Sequence, residues 1–226
     1  MNGTMTRLLV LAPHFDDAEF GCGGLMQVTP EMRIGGIGRQ SRVVVVCSGD
    51  YVRSDGVEVL GGTRLNEAFK AFEMLGVTGS QLRGYPENGG PLWDYGRLVG
   101  EIERAVKANQ PTDVLVCLPG FNQDHRALFD ATVTAFRPGN LEANLLAYPY
   151  PGSCWGTDVP QWGKRYVRLS EQQVARKIAA LNCHKSQFAG RKAGVGPEAA
   201  RTLARQHGAE IGVEYAELFY VMKEVY

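Results

Sequence analysis

Six short apolar runs rich in β-branched residues recur along the chain, at residues 8–12, 43–47, a weaker 81–85, 113–118, 143–148 and 219–222. Runs of this length read as buried strands. Between them the apolar positions change period. Leu65, Ala68, Phe69, Phe72 and Leu75 recur at helical spacing and stop at Gly76, and Leu98, Ile102, Ala105 and Val106 do the same before Asn109-Gln110-Pro111. Strands alternating with amphipathic helices predict βαβ units, that is, an α/β fold with a mostly parallel sheet and crossover helices packed on it.

The C-terminal third continues the pattern. Ser170 and Gln173 form a capping-box signature ahead of Val174, Ile178 and Leu181, and Pro197 opens a last helix that Gly208 is expected to close. The glycines at 35, 36 and 38 predict a surface loop, and residues 148–161 a longer loop rich in aromatics, Pro and Gly. With no repeat, low-complexity tract or evident boundary, residues 1–226 read as one domain.

Composition narrows the function classes. A chain of 226 residues with 44% hydrophobic content suits a sizeable core. Lys+Arg and Asp+Glu number 24 each, without long runs of one sign, so neither nucleic acid nor an anionic membrane surface is an expected partner. Five scattered cysteines without a Cys-x-x-Cys spacing argue against a disulfide framework or a zinc knuckle. The apolar run at 8–12 is too short for a secretory signal or a membrane span. A cytoplasmic protein acting on a small molecule is the expectation, with homo-oligomerisation left open.

The chemistry concentrates where two strands end. His14, Asp16 and Asp17 follow the first run, and Asn122, Asp124 and His125 follow the run at 113–118. Ligands of open α/β sheets bind beyond the carboxyl ends of the strands. His14-x-x-Asp17 alone reads most simply as a capping or hydrogen-bonding pair. A second strand-end histidine shifts the balance to a metal, with His14, Asp17 and His125 as its three protein ligands. Asp16, beside a ligand but not itself one, is then the general base of a metal-assisted hydrolysis.

The opening segment His14-Phe15-Asp16-Asp17-Ala18-Glu19, followed by Gly21-Cys22-Gly23-Gly24, resembles the His-Pro-Asp-Asp-Glu motif of the PIG-L/LmbE family of zinc-dependent de-N-acetylases. Asp124-His125-Arg126 resembles that family's third-ligand motif. Thr63 to Ala68, Pro111 to Val114, His184 to Gln187 and Tyr215 to Phe219 match in order with less specificity. The resemblance implies a Rossmann-like (LmbE-like) mostly parallel sheet with helices on both faces. It implies Zn²⁺ on His14, Asp17 and His125, with Fe²⁺ or another divalent transition metal also suited to such ligands. It further implies Asp16 as base, Asn122 and Asp124 as catalytic-site residues, and Arg64 as a substrate contact oriented by Glu67. The implied substrate is an N-acetylated amino sugar or sugar conjugate of the N-acetylglucosamine type.

Two residues depart from the family pattern. Phe15 replaces a proline, an exchange expected to be tolerated because both carboxylates remain. Asn122 stands where many members carry histidine, and its amide can donate a hydrogen bond to developing negative charge but cannot deliver a proton. Outside the resemblance, an arginine in the first turn of a helix such as Arg64 reads as a surface contact. Tyr85, Trp93, Tyr95, Trp155 and Trp162 could stack on a sugar or pack on the domain. The alternatives are a metal-dependent hydratase or other hydrolase on the same fold, a non-catalytic carbohydrate binder, and a nucleotide or S-adenosylmethionine domain built on Gly21-x-Gly23-Gly24. That last reading suffers because Gly21 comes well after its strand. His184 and His207 are expected at the surface or satisfied by a partner, and Cys22 as packing.

Overall fold

The computed structural model describes residues 6–27, 39–53, 55–90, 93–153, 155, 161–189 and 196–225. In chain order the elements are β1 (Thr6–Ala12), α1 (Asp17–Cys22), β2 (Arg39–Cys47), β3 (Tyr51–Val52), β4 (Glu58–Val59), α2 (Gly61–Leu75), β5 (Gly79–Tyr85), α3 (Tyr95–Asn109), β6 (Asp113–Cys117), α4 (Gln123–Ala135), β7 (Asn144–Tyr148), β8 (Gly163–Arg168), α5 (Glu171–Leu181), α6 (Lys185–Phe188), α7 (Glu198–Glu210) and β9 (Ala216–Lys223). The expected glycine loop at 35–38 lies outside the described residues, as do the N-terminal five residues and Cys154.

Seven strands form one sheet in the order β5-β2-β1-β6-β7-β9-β8. The first five are mutually parallel, and β9 and β8 close the far edge antiparallel. β1 and β6 are central, buried along residues 8–12 and 113–117, as strands covered on both faces must be. The chain steps outward from β1 through β2 to β5, then crosses back to β6 and on to β7. Right-handed crossovers therefore carry α1 and α2 to one face and α3 and α4 to the other. The reversal puts a topological switch point between β1 and β6, which are hydrogen-bonded neighbours from Leu8 with Asp113 to Leu11 with Val116.

Most expected helix ends coincide with cap geometry. Gly76 closes α2 in the left-handed region at φ 74°, and Gln110 at φ 43° closes α3 ahead of Pro111. Ser170 Oγ accepts from Gln173 N at 3.2 Å and Gln173 Oε1 accepts from Ser170 N at 3.0 Å, so the capping box of α5 is formed. Gly208 does not end the last helix. α7 runs to Glu210, and Gly208 lies inside its final turn, where a Cβ would come within 2.6 Å of the Val213 carbonyl. Glycine is there for the close approach of the following loop. Gly21, inside α1, also serves packing: a Cβ there would overlap the Tyr148 ring at 2.0 Å, which leaves the nucleotide-loop reading without a phosphate cradle. No helix among the described residues is long and apolar enough to cross a membrane.

Candidate metal centre and active site

His14 follows β1 and His125 lies in the first turn of α4, just beyond β6, so the switch point brings the two histidines together. Three potential ligand atoms converge. His14 Nδ1 is 3.0 Å from Asp17 Oδ2, His125 Nε2 is 3.2 Å from the same oxygen, and the two ring nitrogens are 3.3 Å apart. A tetrahedral ion with bonds of about 2.0–2.1 Å separates its ligands by about 3.3–3.4 Å, so this near-equilateral triangle of two imidazole nitrogens and one carboxylate oxygen fits a divalent transition metal.

A second set, His14, Cys47 and Asp124, also lies within ligating range. It sits behind the first and is chemically poorer. Burial pushes the Cys47 thiol up to about 11, which keeps it protonated. Asp124 is fully buried and already accepts the backbone N–H of Asn88 at 2.7 Å and of Gly90 at 2.8 Å. Its Oδ2 lies 3.1 Å from His14 Nε2, an arrangement that fixes the imidazole with its proton on Nε2 and leaves Nδ1 for an ion. Burial would raise the Asp124 pKa, and His14 with these two amides holds it below the usual carboxylate range instead. Burial likewise disfavours a charged His14, but Asp124 and Asp17 on either side hold its pKa well above the ordinary value. Asp17 is held far down against burial by His125 and His14.

A cavity of about 310 Å³ opens on the triangle. Asp16 and Asn122, both placed in the site by sequence, line it. Asp16 is the N-cap residue of α1, but its carboxylate makes no cap bond, so its oxygens are not committed to the helix. Asn122 caps α4, its Oδ1 accepting from Asp124 N at 2.8 Å, so what it can present to the cavity is its NH₂ group.

Arg64 is where sequence and structure part. It is wholly buried, neither on the surface nor in the cavity lining. Its guanidinium lies over the rings of Phe15 at 5.0 Å and Tyr51 at 4.8 Å and is ion-paired with Glu87. Glu87, not Arg64, reaches the cavity, 3.9 Å from His14 Nε2, and burial raises its pKa despite His14 and Arg64. Glu67 does not orient Arg64: it accepts from Ser186 N at 2.9 Å and Ser186 Oγ at 2.6 Å. Phe15 thus supplies one of the two faces that hold Arg64.

Glu87, Asn88 and Tyr51 are lining residues that sequence reasoning missed, and Gln187, matched only as part of a family segment, joins them. Asn88 sits at φ 56°, in a turn that aims its N–H at Asp124. Tyr51 Oη donates to Gln187 Oε1 at 3.0 Å, and Gln187 belongs to α6, which is tied down by a fully buried pair, His184 Nε2 with Glu19 Oε1 at 2.9 Å. His184 is thus satisfied by a partner, as one of the two expectations had it, and both His184 and His207 are buried rather than at the surface. At the other end of the same region Glu217 accepts from Gly24 N and Leu25 N, each at 2.7 Å, and from Lys177 Nζ at 2.7 Å, fixing the turn after α1 to β9. Of the five aromatics singled out, Tyr85 and Trp93 pack on each other, Tyr95 bonds Asp130 and Thr134, Trp162 stacks on Phe129, and Trp155 meets the lining residue Phe121.

Known proteins share this fold. The family model described as "PIG-L: GlcNAc-PI de-N-acetylase" matches residues 9–136, more than half of the chain. A probable N-acetyl-alpha-D-glucosaminyl L-malate deacetylase 2 of Bacillus anthracis is 24% identical over 192 residues, covering 80% of this chain and 81% of that protein. The N,N'-diacetylchitobiose deacetylase of Pyrococcus horikoshii superposes with a TM-score of 0.73 at 20% identity, over 96% of this chain and 84% of that one. The fold also occurs in GalB, the 4-carboxy-2-hydroxymuconate hydratase of Pseudomonas putida, with a TM-score of 0.69 at 20% identity over 98% of both chains. The family model covers more than half of the chain, and on that match this chain belongs to the PIG-L family of de-N-acetylases.

Proposed function

We propose that the protein is a metal-dependent hydrolase that removes acetyl from the nitrogen of an amino sugar or sugar conjugate. The observation that carries this is the triangle of His14, Asp17 and His125 on the wall of a cavity that Asp16 also lines. These three residues would hold the ion, Zn²⁺ first and Fe²⁺ as the next candidate for the same donor set. When bound, such an ion polarises an amide carbonyl and lowers the pKa of water to about 7.

The chain's own residues do the rest. Asp16, adjacent in sequence to a ligand but uncommitted, accepts a proton from the attacking water. The Asn122 amide donates to the carbonyl oxygen as negative charge develops on it. The new C–O bond replaces the C–N bond, and Asp16 returns the proton to the departing amine because Asn122 has none to give. Asp124 acts through His14 as a positioning residue. Glu87 offers a carboxylate acceptor for hydroxyl groups of the substrate.

Hydration of a polycarboxylate, the reaction named for GalB, is disfavoured because no Lys or Arg lines the cavity among the described residues. The test is acetate release from N-acetylglucosaminides before and after chelation, with metal readdition. Asp16→Asn should lower kcat by about 10²–10⁴-fold while the protein keeps its metal. Undiminished turnover in that variant, or acetate release indifferent to chelation, contradicts the proposal.

A further inference from the structure

The geometry points to a substrate whose second half, beyond the acetylated sugar, carries no negative charge and has an apolar face that packs against Trp155 and Phe121; this rests on the deacetylase reading above. Two observations carry it independently. The first is charge. Three carboxylates, Asp16, Asp17 and Glu87, line the cavity and no Lys or Arg among the described residues does, and Arg64, buried behind the wall, offsets Glu87 alone. The other guanidinium groups near the site donate to the protein itself, Arg126 to the Gly120 and Phe121 carbonyls and Arg53 to Asp55 and the Ser186 carbonyl. A ligand ion would cancel part of the charge of Asp17 at the reacting end, and it leaves the lining nearer the mouth without a cation. An anionic aglycone would enter this field with no cation to meet it.

The second observation is the aromatic rim. Phe121 lines the cavity yet is 51% exposed, and Trp155 is 75% exposed and meets it edge to face at 6.1 Å. Tyr150 continues the row inward, 6.5 Å from the Phe121 ring and 4.3 Å from that of the proposed ligand His125. Three rings thus lead from solvent to the metal centre. Exposed aromatics contiguous with a site are kept for contact rather than for the core. An aryl group or a second pyranose ring supplies the same chemistry, a flat face of C–H or π character.

The experiment compares kcat/KM for phenyl N-acetylglucosaminide, N,N'-diacetylchitobiose, methyl N-acetylglucosaminide and N-acetylglucosaminyl malate. The phenyl glycoside, the chitobiose or both should exceed the methyl glycoside by about three- to tenfold, and which of them does so tells an aryl from a sugar aglycone. The malate conjugate should fall below the methyl glycoside. In Trp155→Ala the advantage should shrink towards one, whereas Trp162→Ala, altered outside the lining, should keep it. A preference for malate, or an advantage untouched by Trp155→Ala, overturns the inference. Calorimetric titration with phenyl glucosaminide, the amine product, separates the two readings. If no substrate releases acetate, the deacetylase reading fails, and weaker phenyl glycoside binding by Trp155→Ala than by the wild type still supports the aromatic mouth, while equal binding overturns it.

Discussion

Asn122 caps α4 through its oxygen, which leaves its NH₂ as the group it can present to the cavity it lines, the role proposed for it above. Asn122→Ala should therefore separate into two effects: a loss of about 1 kcal/mol of stability for the missing cap, read by urea denaturation, and a fall of about 10²–10³-fold in kcat for the missing oxyanion donor. A variant that loses the stability but keeps kcat would remove Asn122 from the chemistry. Arg64 and Glu87 form a buried pair that can be tested by thermodynamic cycle. Glu87→Gln should cost about 3–5 kcal/mol because it leaves a guanidinium buried beside no counter-charge, and adding Arg64→Met should recover most of that. Additive losses in the double variant would show that the two charges are independently solvated.

At the scale of elements, α7 carries a proton-linked liability. His207 is buried on its inner face, and burial lowers its pKa to about 4, below the ordinary value of 6.5. Between pH 6.5 and 4 the unfolded chain binds a proton at this position that the folded chain does not, so its contribution is present above pH 6.5 and is lost as the pH falls towards 4. The difference in denaturation midpoint between wild type and His207→Gln should shift against the wild type across that window. A constant difference would mean that His207 titrates alike in both states.

The elements also show what was legible in the sequence and what was not. β1, β6 and β7 announce themselves because both faces are covered, so after the first one or two residues their positions are apolar. β8 was invisible: it is the sheet's edge, it carries Lys164, Arg165 and Arg168, and its place is fixed by pairing with β9 rather than by a hydrophobic run. β3 and β4, two residues each, have no period to detect. The same reasoning divides the site. His14, Asp17 and His125 follow the strands that are easiest to read. Glu87, Asn88, Tyr51 and Gln187 come from turns and very short elements whose positions depend on tertiary contacts, such as the Asp124 carboxylate that gathers the amides of Asn88 and Gly90. Arg64 is assigned through the resemblance, and only the tertiary packing reveals that it is buried between Phe15 and Tyr51 and paired with Glu87.

For the molecule as a whole, the switch point between β1 and β6 makes fold and site one problem. Three ligands from two distant segments can share an ion only when the central strands are paired, so metal binding should stabilise the folded state by mass action. Chelation should lower the thermal midpoint and readdition should restore it. An unchanged midpoint at saturating metal would mean that the ion binds folded and unfolded chains alike. The most direct measurement is elemental analysis of the purified protein beside His14→Ala and His125→Ala. The account predicts about one zinc or iron per wild-type chain and less than about a tenth of that in either variant. Equal metal content in all three proteins would contradict it.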